Sequence, residues 1–241
     1  MKRCQGATII GLMIGLLVSM IGILGSLSLY KTLTRASVDA TFDTKLDGNA
    51  AMALSRVAYE LQSAGFGLPK VEPGVQPHLK IISGQVIVWR VGQALNAADA
   101  NVVCKKISEV EAEDGTGVAS PDVDEGIAAR KLILETVAHT AANNCNVASD
   151  LLDVDWGSAQ QEVLNITELT RLDSTYSKAK TQALILFDTQ AVTGCAPYGM
   201  VPAPETIKTL IKVSHYSSAD LNNNAATRSL EHKVCIGNAA I

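Results

Sequence analysis

The stretch ATIIGLMIGLLVSMIGILGSLSLY, residues 7–30 of this 241-residue chain, contains no Asp, Glu, Lys or Arg. At about 1.5 Å rise per residue, a helix of this length can cross a hydrocarbon core of roughly 30 Å. Lys2 and Arg3 precede the stretch, and positive charge stays on the cytoplasmic side of a membrane. The sequence therefore predicts one membrane-inserted helix, with the longer polar region on the opposite side.

A helical period continues beyond this charge-free stretch. Apolar residues recur at steps of three and four at Val38, Phe42, Leu46, Ala50, Leu54, Val57, Leu61 and Ala64. Gly65, Gly67 and Pro69 then end the pattern. We expect one continuous helix from about Ala7 to Ala64, apolar all round in its first half and amphipathic in its second half.

Short β-branched segments follow the helix and predict strands. They are Val86–Val91, Lys131–Val137, Ala183–Phe187 and Ile207–Val213. In the last of these, apolar residues alternate with lysines, which is typical of a strand with one buried face. The sequence therefore predicts an α+β fold, in which the amphipathic half of a long N-terminal helix packs on the antiparallel β-sheet of a head domain.

Charge and composition exclude one class of partner. The formal net charge is −4, the pI is about 5.6, and the chain has no run rich in Lys or Arg. Nucleic-acid binders carry a basic patch or stripe, because they must neutralise phosphates. We therefore expect no nucleic-acid partner.

Four cysteines lie in the polar region, at Cys104, Cys145, Cys195 and Cys235. They are widely spaced and include no CxxC pair, which favours two disulfides in an oxidising compartment over a zinc site. Four cysteines permit three pairings, and we favour the sequence neighbours, Cys104 with Cys145 and Cys195 with Cys235. The head is accordingly expected outside the cytoplasm.

Two acidic clusters raise the alternative of calcium binding, because calcium takes several oxygen ligands from a turned loop. One is the segment 111–126 and the other comprises Asp150, Asp153 and Asp155. Neither has the spacing of an EF-hand, so we favour solvated surface loops and predict no metal ligand and no cofactor.

The sequence gives no support for catalysis, and we predict no catalytic residue. The histidines are scattered, and the chain has no HExxH, GxSxG or Walker-type motif. His215 falls on the predicted strand that holds Val213, where a hydrogen-bonded structural histidine is expected. Trp89 and Trp156 are interpreted as packing residues rather than as a ligand platform.

The N-terminus resembles a known motif. A short basic leader ending in glycine (Met1–Gly6), followed by Ala7–Ile10 and Leu12–Ile14, resembles the prepilin motif of type IV pilins and type II secretion pseudopilins. In that family a dedicated prepilin peptidase cuts after the glycine and methylates the new N-terminus. The resemblance thus implies processing between Gly6 and Ala7.

The segment Leu54–Gly67 is similar to the end of the long helix in PilW-like minor pilins. The resemblance covers residues 1–68 and implies a type IV pilin-like fold. Its four regions would be a leader (1–6), a transmembrane and filament-core half-helix (7–30), an amphipathic half-helix (31–68) and a globular pilin head (69–241).

Gly11 departs from the family pattern. It is the fifth residue after the expected cleavage, where the family nearly always has glutamate. That glutamate is thought to pair with the N-terminal amine of the subunit added before it, and an unpaired charge in an apolar bundle costs several kcal/mol. A tip or initiating subunit has no predecessor, so it tolerates glycine.

Small residues also form a line along one face of the predicted helix. They recur at steps of four and three at Gly11, Gly15, Ser19, Gly22 and Ser26. Small residues let another helix approach closely in an apolar phase, so we predict helix packing along this line. The alternative is that glycine and serine are simply common in membrane helices.

The resemblance implies a minor pilin at or near the tip of a type IV pilus, which helps to prime assembly and to present an adhesive head. Expected partners are the prepilin peptidase, other minor pilins, the major pilin and the inner-membrane assembly machinery. The head would lie in the periplasm before assembly and on an extracellular pilus afterwards. The alternatives are a minor pseudopilin of a type II secretion system and a membrane-anchored or secreted binding protein unrelated to filaments.

Overall fold

The computed structural model describes part of the chain, in eight stretches. These are residues 9–69, 76–94, 101–111, 129–168, 183–193, 195, 207–222 and 227–236. The expected leader 1–6, the processing residues Gly6 and Ala7, and nearly all of the acidic segment 111–126 lie outside them.

Helix α1 spans Ile9–Gln62 without interruption, as the apolar and amphipathic patterns predict. The helix ends two residues before the expected Ala64. There the backbone changes to turns, in which Ser63 N–H donates to the carbonyl of Glu60 (3.1 Å) and Ala64 N–H to that of Leu61 (3.0 Å). The following Gly65 has a φ of 72°, which ends the helical path.

The chain divides into two compact units, Met1–Asp43 and Thr44–Ile241. The described part of the first unit, residues 9–43, is entirely helical and is called the stem below. The second unit contains the remainder of α1 together with the strands. This second unit, residues 44–241, is called the head below.

Five strands of the second unit form an antiparallel sheet in sequence order. They are β1 (Leu79–Ile82), β2 (Val86–Gly92), β3 (Val102–Glu111), β4 (Ala129–Ala138) and β5 (Gln160–Glu168). The register places Trp89 of β2 opposite Lys105 of β3, and Leu132 of β4 opposite Asn165 of β5. A short 3-10 helix, Leu151–Asp153, lies between β4 and β5.

Three further strands form a separate antiparallel sheet. They are β6 (Ile185–Thr193), β7 (Ile207–His215) and β8 (Leu230–Ile236), and the short helix α2 (Ser218–Asn222) connects β7 to β8. The sequence predicted one sheet, whereas the described strands form two. Phe187 N–H of β6 donates to the carbonyl of Gly84 (2.7 Å), so the two sheets meet at the β1–β2 turn.

The main core lies between α1 and both sheets. Its members from α1 and the loop after it are Ala53, Leu54, Val57, Ala58, Leu61 and Ala64, and its members from the strands include Ile87, Trp89, Ile107, Leu134, Ile185, Phe187, Ile211 and Val213. The fold is thus α+β, one long N-terminal helix packed on antiparallel sheets. This confirms the predicted fold class and matches a pilin-like fold.

A second core covers the other face of the five-stranded sheet. It contains Leu68, Val88, Val102, Cys104, Val137, Cys145, Leu151 and Val154. Strand β2 contributes Ile87 and Trp89 to the first core and Val88 to the second. Strands buried on both faces have nearly continuous apolar sequences, and for this reason β2 could be predicted from the sequence.

Candidate assembly surface

The stem presents a large apolar surface. Its large apolar side chains from Ile9 to Leu33 are each between 56% and 79% exposed. Helix α1 contains a span that is long and apolar enough to cross a membrane, and none of that span is buried inside the protein. Soluble proteins rarely expose apolar patches larger than a few hundred Å². By length and composition the stem could therefore span a membrane.

The line of small residues lies within this surface. A Cβ added at Gly15 or Gly22 would meet nothing within 4 Å. No contact in the described chain therefore requires glycine there, and both positions could accept a close neighbour. Gly11, Ser19 and Ser26 are likewise helical and exposed.

The stem hydroxyls are suited to a dry environment. Ser19 Oγ donates to the carbonyl of Gly15 at 2.8 Å, and Ser26 Oγ donates to that of Gly22 at 2.9 Å. A donor left unsatisfied in hydrocarbon costs several kcal/mol, and these internal bonds avoid that cost. Serine is therefore compatible with burial of this face.

Helix α1 is joined to the three-stranded sheet by a bidentate contact. The two carboxylate oxygens of Asp47 accept hydrogen bonds from Ser218, at 2.6 Å from its N–H and 2.8 Å from its Oγ. Ser218 begins α2, and residues 216 and 217 separate it from the end of β7. The bond thus links the first helical turn of the head to the far sheet.

A charged network joins α1 to the five-stranded sheet. Glu60, whose side chain is 8% exposed, accepts a hydrogen bond from Lys105 Nζ of β3 at 2.6 Å. Arg56 lies 3.5 Å from Glu60 and 3.1 Å from Glu162 of β5. The buried carboxylate therefore has a cation on either side, which is the condition for burying a charge without a large penalty.

The chain leaves α1 through a loop that is hydrogen-bonded to β2. Gly65 N–H donates to the carbonyl of Arg90 (2.9 Å), and Gly92 N–H donates to that of Phe66 (2.7 Å). Gly67 has a φ of +71°, and a Cβ there would approach the carbonyl oxygen of Ala94 to 2.5 Å. Glycine is required at this position both by its conformation and by the space around it.

Both disulfides form between the sequence neighbours favoured above, Cys104 with Cys145 and Cys195 with Cys235. The first ties β3 to the loop between β4 and β5. Buried Arg90 holds the same loop by donating to three carbonyl oxygens, those of Asn146, Val147 and Ser149. The loop is therefore fixed on the sheet face opposite α1.

The outward side of α1 in the second unit is a further exposed surface. Ala51, Met52, Ser55, Arg56 and Tyr59 line a shallow open groove. The side chains of Met52 and Tyr59 are each 68% exposed. This helix therefore buries one side in the head and leaves a partly apolar side uncovered by the described residues.

The three aspartates considered for calcium do not converge. Asp150 accepts a hydrogen bond from Leu152 N–H and pairs with Lys80 at 2.9 Å, and these two contacts lower the pKa of Asp150. Asp155 instead accepts from Gly157 N–H. Across the described stretches, no group of three His, Cys, Asp or Glu residues is arranged to hold a metal ion.

Three of the histidines contact backbone carbonyls. The partner of His78 is Pro69 at 2.8 Å, that of His139 is Cys145 at 2.7 Å, and that of His215 is Tyr216 at 2.6 Å. Burial lowers the pKa of His78, so its ring is neutral at pH 7. These contacts give all three rings a structural role.

Both tryptophans pack against the protein. Trp89 is fully buried, and its indole N–H donates to Ser63 Oγ at 3.4 Å. Trp156 packs on the second core, and Lys106 Nζ lies 4.7 Å from the centre of its ring. The ammonium covers that ring as a cation–π contact.

Two contacts that attach α1 to the rest of the second unit, those of Glu60 and Asp47, were not predicted from the sequence. Glu60 lies between Val57 and Leu61 on the apolar side of the helix, and this position was a usable signal. The contact of Asp47 could not be predicted from local sequence, because its partner Ser218 is 171 residues away.

Comparison of the chain with protein-family models, with curated proteins and with solved structures gives no match in any of the three.

Proposed function

We propose that this protein is a minor pilin, a structural subunit placed at or near the tip of a type IV pilus, where it helps to prime assembly. The observation that carries the proposal is the exposed apolar stem, which continues without a helix break into a helix anchored in the head. A subunit whose stem packs among other stems needs an exposed apolar helix that continues into its head.

The stem favours helix partners over lipid alone as its final environment. Gly15 and Gly22 leave open space beside the helix, and the Ser19 and Ser26 hydroxyls are satisfied internally. Association of helices in an apolar phase depends on close backbone approach, which glycine permits. Larger side chains would serve a simple lipid anchor equally well.

Gly11 supports a place at the tip. A subunit without a carboxylate at this position cannot neutralise the N-terminal amine of a neighbour inside an apolar bundle. The subunit that starts a filament is exempt, since it has no predecessor. Its own amine could still be paired by the next subunit.

The place at the tip is tested by restoring the carboxylate in the cells that make the protein. Gly11→Glu is expected to let the subunit enter along the shaft, so immunogold labelling should spread from filament ends to filament sides. Gly25→Glu is the matched control, because it puts the same charge elsewhere on the exposed stem and should reduce incorporation. Labelling that stays at the ends in Gly11→Glu would contradict the place at the tip.

Membership of a filament is tested separately. Cells that lack prepilin peptidase should keep the protein in the membrane fraction and yield none in sheared filaments. Equal amounts in the sheared fraction with and without the peptidase would refute processing as a prepilin.

A further inference from the structure

A corner of the head where the two sheets meet is held by charged side chains. Glu109 of β3 accepts hydrogen bonds from the N–H groups of Leu184 (3.1 Å) and Ile185 (2.9 Å), at the start of β6. Arg130 of β4 lies 3.5 Å from the same carboxylate. The five-stranded sheet therefore binds the backbone N–H groups at the start of β6.

Arg228 binds the backbone carbonyl groups of the same segment. Its Nε donates to the carbonyl of Leu184 at 3.0 Å, and its Nη2 donates to that of Ala183 at 2.7 Å. Its guanidinium carbon lies 4.4 Å from the centre of the Tyr216 ring. Residues 183–185 are thus fixed by a carboxylate on one side and a guanidinium on the other.

His215 lies inside this corner. It ends β7 opposite Ile185, is 4% exposed, and donates from Nδ1 to the carbonyl of Tyr216. Its ring lines a small pocket together with Glu109, Arg130 and Asn165. Opening the start of β6 would expose this ring to solvent.

Four charged groups lie around His215 on the surrounding elements. Arg228 from the segment before β8 and Asp47 from α1 act on its charge, while Glu109 from β3 and Arg130 from β4 line the same small pocket. Glu109 already binds two N–H groups and Arg130, while Asp47 binds Ser218. An imidazolium would therefore be a third cation in a buried site whose carboxylates are already engaged.

Protonation of His215 and protonation of Glu109 have opposite effects on the stability of the closed corner. Burial lowers the pKa of His215 to about 4, so the closed corner resists a proton that a solvated ring accepts near 6.5. Acid therefore favours opening between pH 6.5 and 4. Burial raises the pKa of Glu109 in spite of its hydrogen bonds, so through this residue acid favours the closed corner.

We propose that this corner is an acid-sensitive joint, in which protonation of His215 releases the start of β6 from Glu109 and Arg228, while protonation of Glu109 limits the opening. The joint would let the near end of the three-stranded sheet move away from the five-stranded sheet without global unfolding. Folded proteins open locally at free energies below that of global unfolding, and such an opening requires these anchoring contacts to be released.

Amide hydrogen exchange of the full chain in detergent micelles tests the joint at Leu184 and Ile185. Protection factors remove the intrinsic pH dependence of exchange, and they are compared at pH 7 and pH 5. From the two pKa values of His215, its contribution between pH 7 and pH 5 is a fall of about 20-fold. We expect a smaller fall in the wild type, nearly the full fall in Glu109→Gln, and no fall or a small rise in His215→Gln, where only the effect of Glu109 remains. His232→Gln, which alters an exposed histidine of β8, should behave as wild type.

The same fall in His215→Gln as in wild type would overturn the proposal, and so would no fall in Glu109→Gln. Should either variant fail to fold, titration of the wild-type His215 ring by NMR decides the matter. A ring that titrates near 4 while protection falls supports the joint. A ring that titrates near 6.5 with protection unchanged overturns it.

Discussion

The carboxylate of Glu60 and the ammonium of Lys105 lie 2.6 Å apart and join helix α1 to strand β3. Their side chains are 8% and 23% exposed, so the pair lies largely within the head. This contact, the Asp47–Ser218 bond and the apolar core fix the second part of α1 to both sheets.

Removal of one partner of this pair should be costly. In Lys105→Met, the buried Glu60 loses its nearest cation, and we expect a loss of about 3 kcal/mol in the free energy of unfolding. The double variant Glu60→Met/Lys105→Met should recover part of that loss. Denaturant unfolding of the full chain in micelles, followed by near-UV circular dichroism, measures both variants.

Arg56→Met is the matched control for that pair. Its side chain is 46% exposed, so we expect a loss of less than about 1 kcal/mol. Equal losses in Arg56→Met and Lys105→Met would show that the Lys105 pair has no special role.

Gly67 should be much less tolerant of a methyl group than Gly48. Gly67→Ala combines a positive φ with a Cβ only 2.5 Å from a carbonyl oxygen, so we expect a loss of more than about 2 kcal/mol. Gly48 is helical with nothing within 4 Å, so Gly48→Ala should gain up to about 1 kcal/mol. Thermal unfolding of both variants measures the contrast, and a stable Gly67→Ala would refute the loop geometry.

Loss of the disulfide between Cys104 and Cys145 should strongly destabilise the head. The two residues are 41 apart in sequence, which corresponds to about 4 kcal/mol of chain entropy in the unfolded state. We expect Cys104→Ala/Cys145→Ala to lower the midpoint of urea unfolding in micelles. A midpoint equal to that of wild type would indicate that Arg90 and the second core hold the loop without the bond.

Asp220 should contribute stability that disappears in strong acid. Burial alone would raise its pKa, but hydrogen bonds from Ser229 and Ser217 lower it to about 2, below the ordinary 3.8. A depressed carboxyl pKa stabilises the fold above pH 3.8 and loses this effect as the pH falls toward 2. After allowance for solvent screening we expect a contribution of about 1 kcal/mol.

The matched variant for this contribution is Asp220→Asn, which keeps the shape of the side chain. Its stability should be lower than that of wild type at pH 6 and should approach it near pH 2. A constant difference across this range would mean that the carboxylate charge is not responsible.

The elements with strong local patterns were predictable from the sequence. Helix α1 followed from its apolar and amphipathic periods, and β2, β4 and β7 followed from runs of β-branched residues. Strand β3 was missed because Lys105, Lys106 and Glu109 interrupt its apolar pattern. These charges are accommodated by Glu60, Glu135 and Arg130, partners that are distant in sequence.

The sequence predicted part of the candidate surface but not the division of the strands into two sheets. Polar strand β5 reads QQEVLNITE and carries no apolar run. Local sequence therefore predicted neither this strand nor the division into two sheets. The small-residue line of the stem was readable, because it depends only on helical spacing. The Asp47 bond and the corner around His215 were not, because they bring together residues that only the tertiary fold makes neighbours.

We propose above that the stem belongs to a processed filament subunit. Mass spectrometry of the N-terminal peptide, from protein isolated from its own cells, tests this most directly. The account predicts a mature chain that starts at Ala7 with a methylated N-terminus. An intact Met1 would indicate a simple membrane anchor, and a start beyond Ser26 would indicate a secreted protein; either result would contradict the account.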